Sequence, residues 1–265
     1  MAPRLIEPTL LFDFSINLNS VARADVDRKK RSRATLKFSD KNAVKNSGKN
    51  TEKIIGSSSS RVDSPTDWDL DQSHQLPHFA ALAGYASRAT AWAGWASDGM
   101  YFKMKITGKS SPPRFYGNTG GVSDGLRVWV DTRSSPGIHR ATRFCHCFHF
   151  FPGQPEVVDS SFDETDEVSR QPRGILDTIP RARETPAAIE SEKIIVSSHF
   201  EKDSYTLWSH VPASCLTGYA PDQFDAISLF VEVVDFELGT QSISLGPELR
   251  YVEDPSLWIR AELSK

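Results

Sequence analysis

Residues 91–109, AWAGWASDGMYFKMKITGK, and 123–151, SDGLRVWVDTRSSPGIHRATRFCHCFHFF, decide the fold. In the first, Ala91–Ala96 and Met100–Thr107 flank Ser97-Asp98-Gly99. Asp-Gly between two apolar-rich runs is a strong hairpin signal, because glycine supplies the positive φ of a tight turn. Met100, Phe102, Met104 and Ile106 alternate with Tyr101, Lys103, Lys105 and Thr107. A period of two gives one apolar and one wet face, and a helix would need a repeat near 3.6. The grammar recurs after Ser123-Asp124-Gly125, where Leu126, Val128 and Val130 alternate with Arg127, Trp129 and Asp131. Both stretches read as half-buried strands.

Working outward, the pattern predicts a first strand at Leu10–Leu18, a long strand at Ile138–Phe151 ended by Pro152-Gly153, and an edge strand at Val157–Phe162. Asp163–Pro186 is polar and reads as loop. A hairpin pairs Lys193–Phe200 with Tyr205–Val211, and Pro212–Tyr219 makes one helical turn. Asp225–Phe236, Gln241–Leu245 and Leu257–Leu263 complete about nine to eleven strands with turn signals at short spacing, as in sandwiches and barrels. The expected fold is all-β: an antiparallel, jelly-roll-like sandwich with one short helical turn.

Composition divides the chain. Hydrophobic residues make up 38% of the 265, low enough that part of the chain need not pack. Between Val21 and Asp63 stand twelve Lys/Arg against five Asp/Glu, so in a chain of net charge −3 a basic segment is spliced into an acidic body. Residues 20–64 read as a flexible insertion between a first strand at 1–19 and the main domain at 65–265, because they carry too few large apolar groups to offset the entropy of ordering them. Arg28-Lys29-Lys30-Arg31-Ser32-Arg33 reads as a solvated loop rather than a nucleic-acid contact. No run is long enough to span a bilayer. The N-terminus lacks a signal-peptide core, and three cysteines make no secreted disulfide framework, so the expectation is cytoplasmic.

The order Trp92…Trp95, Asp98-Gly99-Met100-Tyr101-Phe102 and Ser123-Asp124-Gly125-Leu126…Trp129-Val130-Asp131-Thr132-Arg133 resembles family-9 carbohydrate-binding modules and the wider DOMON-like sandwiches. His139–His146, Leu216-Thr217-Gly218-Tyr219, Gly246-Pro247-Glu248 and Asp254-Pro255-Ser256-Leu257-Trp258 look like a set of uncharacterised bacterial proteins built on that domain. The resemblance covers Trp68 to Leu263. It implies a sandwich without catalytic machinery that clamps a sugar between tryptophans, grips its hydroxyls with polar side chains and carries structural calcium. No calcium ligand maps onto this sequence residue by residue, so no metal site is assigned.

Sugar binding needs flat aromatic faces with hydrogen-bonding groups around them, and Trp92, Trp95 and Trp129 are the candidates. Trp129 stands out of the Leu126/Val128/Val130 face beside Arg127. Trp92 and Trp95, three apart, point to opposite faces of a regular strand. Arg127, His139, Arg140, Arg143 and His146 offer planar forks and ring donors suited to an acidic sugar, with Arg133 beside them. Cys145, Cys147 and His149 share a face, but a strand splays such ligands ~6–7 Å apart, too far for one zinc ion. Neighbouring Cys and His on a strand point apart and cannot form a nucleophilic pair, and no G-x-S-x-G, HExxH or phosphate loop is present. The sequence therefore predicts non-catalytic binding of a saccharide. The alternative is an intracellular protein-interaction or structural domain whose basic insertion docks an acidic partner, with no sugar ligand.

Overall fold

The computed structural model describes residues 15–21, 68, 70–77, 87–115, 123–155, 171–242 and 249–264. The chain divides into two units, Met1–Val21 with Leu70–Lys265, and Ala22–Asp69. The first is a β-sandwich. The expected edge strand at Val157–Phe162 and almost all of the basic insertion lie outside the described residues.

Eleven strands are described: β1 (Ser15–Asn19), β2 (Ala89–Ala96), β3 (Gly99–Thr107), β4 (Gly125–Asp131), β5 (Cys145–Phe151), β6 (Arg173–Asp177), β7 (Ile195–Phe200), β8 (Ser204–Pro212), β9 (Ala226–Val234), β10 (Gln241–Ser242) and β11 (Ile259–Ser264). One sheet runs β1-β11-β9-β4-β5-β6 with β10 added beside β9, and the other runs β2-β3-β8-β7. All pairs are antiparallel except β1 with β11.

The alternation read in the sequence sets the layers. Met100, Phe102, Met104 and Ile106 of β3 meet Leu126, Val128 and Val130 of β4 and Phe148 and Phe150 of β5 in one core between the sheets. Ser97-Asp98 makes the two-residue β2–β3 turn, with Ala96 paired to Gly99. Gly99 has φ +149°, and a Cβ there would lie 2.1 Å from the Val211 carbonyl oxygen of β8. The second Asp-Gly does a different job. It makes no β3–β4 hairpin, because these strands lie in different sheets, and it starts β4 after a crossover.

Several boundaries differ from the sequence reading. Ile138–Phe144 is not strand, because Ala141 is buried and its carbonyl accepts Arg183 and Glu184 N–H groups while Cys145 N–H closes a turn on Thr142. Arg173–Asp177, inside the segment read as loop, pairs with β5. Its single apolar pair is too short to show a period, and Gly174 is there because a Cβ would lie 2.5 Å from Ile194 Cγ2. The last strand starts two residues late because Pro255–Leu257 forms a 3-10 turn capped by Asp254.

A second, smaller apolar cluster lies on the outer face of the larger sheet, where Trp129, Phe230, Cys145 and Cys147 pack against Ala141, Ile179, Tyr251 and Trp258 of the covering loops. Among the described residues no helix is long and apolar enough to cross a membrane.

At the corner where β1 leaves the larger sheet, Ser20 bridges to Trp95 of the smaller one. The Trp95 indole N–H is shared between the carbonyls of Leu18 (2.9 Å) and Ser264 (3.2 Å). Trp95→Phe keeps a buried aromatic ring and removes this donor together with part of the indole volume. It is expected to lower unfolding free energy by about 1–3 kcal/mol in urea denaturation, since two buried carbonyls lose a partner. A loss below ~0.5 kcal/mol would mean that the backbone closes the corner without it.

Candidate functional site: the outer face of the four-stranded sheet

Alternation turns Trp92 of β2, Lys103 of β3, Trp208 of β8 and Ser197 of β7 away from the core. Register then aligns them, Trp92 opposite Lys103, Lys103 opposite Trp208 and Trp208 opposite Ser197. All four are half-buried. With strands ~4.8 Å apart, the two tryptophans stand roughly 10 Å apart across the lysine. Lys103 Nζ lies 5.0 Å from the Trp92 ring centroid and donates to the Leu70 carbonyl (3.2 Å). The row towards the β2–β3 turn holds Tyr101 and His210, stacked at 4.3 Å. The row on the other side holds Thr90, Lys105, Thr206 and His199.

One border of this face is built. Gln75 bridges Trp92, and Leu76 N–H donates to the Ala91 carbonyl, so residues 75–76 run along the free edge of β2. Leu70 and His74 press against Gly94, where a Cβ would meet Leu70 Cδ2 at 2.9 Å and Val21 Cγ2 at 2.6 Å. Trp92 therefore sits at the foot of a ridge, while Trp208 is half-buried beyond it, with Tyr101, Thr206 and His210 of the same face buried.

The residues expected from sequence to form one site are dispersed. Trp92 lies on this face. Trp95 points inward and is core. Trp129 is 1% exposed, held edge-on by Phe230 and Tyr251, so it offers no stacking surface. Arg127 is on the opposite sheet, paired with Glu232 at 3.3 Å, and Tyr251 Oη donates to the other oxygen of that carboxylate. His139 is exposed and shared by Asp254 and Ser256 (both 3.1 Å), and Arg140 Nε donates to the Arg181 carbonyl (2.9 Å). Arg143 is exposed, lying over Phe144, whose other neighbour is Arg133. His146 points into the sandwich and is fully buried. The residues that sequence reasoning missed are Trp208 and Lys103. Trp208 falls in the polar phase of Tyr205-Leu207-Ser209-Val211, the same signal that drew attention to Trp129.

Burial controls the titratable groups of β5. His146 Nε2 accepts the Thr217 N–H (3.0 Å), which puts its proton on Nδ1, donated to the Phe144 carbonyl (3.1 Å). Its pKa is pushed down to about 4, first by loss of solvent. His149, fully buried with neither ring nitrogen partnered, is pushed down to about 3 by burial and then by the Arg127 charge. Burial pushes the Cys145 thiol up to about 11 and Cys147 further in the same direction, so both are poor nucleophiles at neutral pH.

The calcium implied by the family resemblance finds no fitting group among the described residues. Among the described residues no group of three or more His, Cys, Asp and Glu side chains is arranged to hold a metal ion. Asp124, Asp235 and Glu237 do gather, but around the ammonium of Lys109, at 3.6, 2.6 and 3.6 Å.

Solved structures similar to this chain include family-9 carbohydrate-binding modules. One from Caldicellulosiruptor kristjanssonii, in complex with cellotriose, has a TM-score of 0.46 at 10% identity, over 68% of this chain and 78% of that one. A module from the same organism in complex with glucose has a TM-score of 0.45 at 11% identity, over 68% and 80%. No protein-family model and no curated protein matches the sequence.

The depressed histidines predict acid sensitivity with a definite sign. Their folded pKa values lie below the ordinary 6.5, so the unfolded chain binds more protons. Their contribution is whole above pH 6.5 and is lost as pH falls towards 4 and then 3. The buried carboxylates Asp124 and Asp131, raised by desolvation, act oppositely, so a difference isolates one group. His149→Phe is expected to stabilise the fold, by removing unpartnered buried nitrogens, and its advantage over wild type in urea should grow by about 2 kcal/mol between pH 7 and pH 5. An advantage that does not change with pH would show that His149 is not held neutral.

Proposed function

We propose that the protein is a non-catalytic saccharide-binding module whose site is the outer face of the four-stranded sheet. One observation carries this reading: the row of half-buried Trp92, Lys103 and Trp208 on the outer face of the sheet. The C–H faces of a pyranose are apolar and lie flat against an indole, while its rim hydroxyls need donors and acceptors. Ser197 and His199 supply such groups on the same face, and Lys103 sets a positive charge between the rings. That charge favours an acidic saccharide, whose carboxylate or sulfate would lie over Lys103 while its rings stack on Trp208 and Trp92.

A second reading, docking of an acidic protein, is favoured by the loops covering the other sheet. Arg140, Arg143, Arg181, Arg183 and Arg250 are all exposed there. Arg181 and Arg250 share one carboxylate oxygen of Glu253, at 3.7 and 3.3 Å, which leaves positive charge in excess. This reading predicts binding that depends on Arg181 and Arg250 and ignores Trp208.

The test is a glycan array on the full chain, followed by titration of any ligand found. Trp208→Ala is expected to weaken binding at least tenfold with thermal stability unchanged. Lys103→Gln should weaken acidic glycans several-fold more than neutral ones. Silence across neutral and acidic glycans from folded protein would sink the saccharide reading. Binding lost in Arg181→Glu/Arg250→Glu and kept in Trp208→Ala would move the site to the loops.

A further inference from the structure

Lys109 follows β3, and its side chain is 5% exposed. Its Nζ lies 2.6 Å from Asp235 Oδ2, 3.6 Å from Asp124 Oδ2 and 3.6 Å from Glu237 Oε2. The three carboxylates come from two further segments, the residue before β4 and the turn after β9. Each is held by backbone donors. Asp124 takes the N–H groups of Phe236 (2.7 Å) and Arg114 (3.0 Å). Asp235 takes those of Glu237 and Leu238 on Oδ1, leaving Oδ2 for the lysine. Glu237 takes both the N–H and the hydroxyl of Ser110 and of Ser111. Lys109 N–H is itself tied to the Asp203 carbonyl of the β7–β8 turn.

Oxygen donors from separate segments, fixed by their own hydrogen bonds and converging on one buried positive charge, are what a calcium ion uses to join loops. Here the positive charge is covalent. We infer that Lys109 is a built-in counter-cation, its ammonium occupying the position at which a divalent ion would otherwise join the two carboxylate-bearing segments, so that this end of the sandwich closes without metal. The inference does not depend on what the outer sheet face binds. It explains why so acidic a cluster tolerates burial: removing one partner of a buried ion cluster leaves charges that neither water nor protein compensates.

The experiment is thermal unfolding of the full chain, wild type and Lys109→Ala, each in excess calcium and in chelator. Lys109→Gln, a milder change, runs beside them so that failure to fold does not hide the result. Wild-type Tm should be the same in both conditions. Lys109→Ala should lose on the order of 10 °C in chelator and recover a large part of it in calcium, including the case in which it folds only with calcium. Terbium used in place of calcium should luminesce on excitation of aromatic rings in Lys109→Ala and not in wild type, since the Tyr205 ring centroid lies 6.0 Å from Nζ. A wild-type Tm that falls in chelator overturns the inference, and so do alanine and glutamine variants no more stable in calcium than without it.

Discussion

Two sheets that share a core still need their open edges closed, and here one indole N–H sits where that closure happens. Trp95 belongs to β2 at the edge of the smaller sheet, while Leu18 and Ser264 belong to β1 and β11 of the larger. The parallel pairing of β1 with β11 delivers both carbonyls to one point, and β1 then crosses to bridge Trp95. An unpaired strand edge is a template for aggregation. Covering β2 with Ser20–Val21 and with Gln75–Leu76 removes it. On the far side the sheets are tied differently, by Ser198 Oγ donating to the Pro152 carbonyl and by Ile194 resting on Gly174.

The two outer faces of the sandwich have different fates, and this separates the tryptophans. Strand alternation places Trp129 and Trp208 in equivalent phases, each turned out from a core-facing apolar row. Over the larger sheet, loops carrying Ala141, Ile179, Tyr251 and Trp258 settle on the outer face and make it a second core. Trp129 is buried there, and the half-buried Arg127 serves Glu232 rather than a ligand. Over the smaller sheet the described ridge at 70–77 lies along the β2 side, and Trp208 is half-buried rather than enclosed. Phase tells a residue which side of its sheet it faces, but not what lies beyond that side.

The same distinction separates what the sequence could show from what it could not. The Asp-Gly hairpin, the alternating faces of β3 and β4, the β7–β8 hairpin and the apolar β9 are local patterns, and local patterns carry the fold class. Long-range partners set the rest. Ile138–Phe144 is apolar enough for a strand, yet its backbone is claimed by residues 183 and 184. Arg173–Asp177 is too short to show a period, yet β5 offers it an edge. For the candidate site, Trp92 was readable, whereas the row joining it to Lys103 and Trp208 exists only through the register of β2, β3 and β8. His146 shows the limit most plainly, because a histidine among arginines reads as a ligand group, while its strand phase turns it inward to Phe144 and Thr217.

Strand β3 joins these features into one mechanical unit. Met100 lies opposite Trp95 at the closed corner, Lys103 sits in the tryptophan row, and Lys109 follows the strand into the three-carboxylate cluster. At ~3.3 Å per residue the row lies roughly 10 Å from one anchor and 20 Å from the other. An aromatic surface that stacks a ring gains affinity when its spacing is set before the ligand arrives, because ordering side chains and backbone on binding subtracts from the interaction. A strand pinned at both ends, with β2 and β8 in continuous register on either side, meets that requirement without loops. Unlike a loop-built pocket, such a site should vary in its ligand through the side chains on the row rather than through backbone rearrangement.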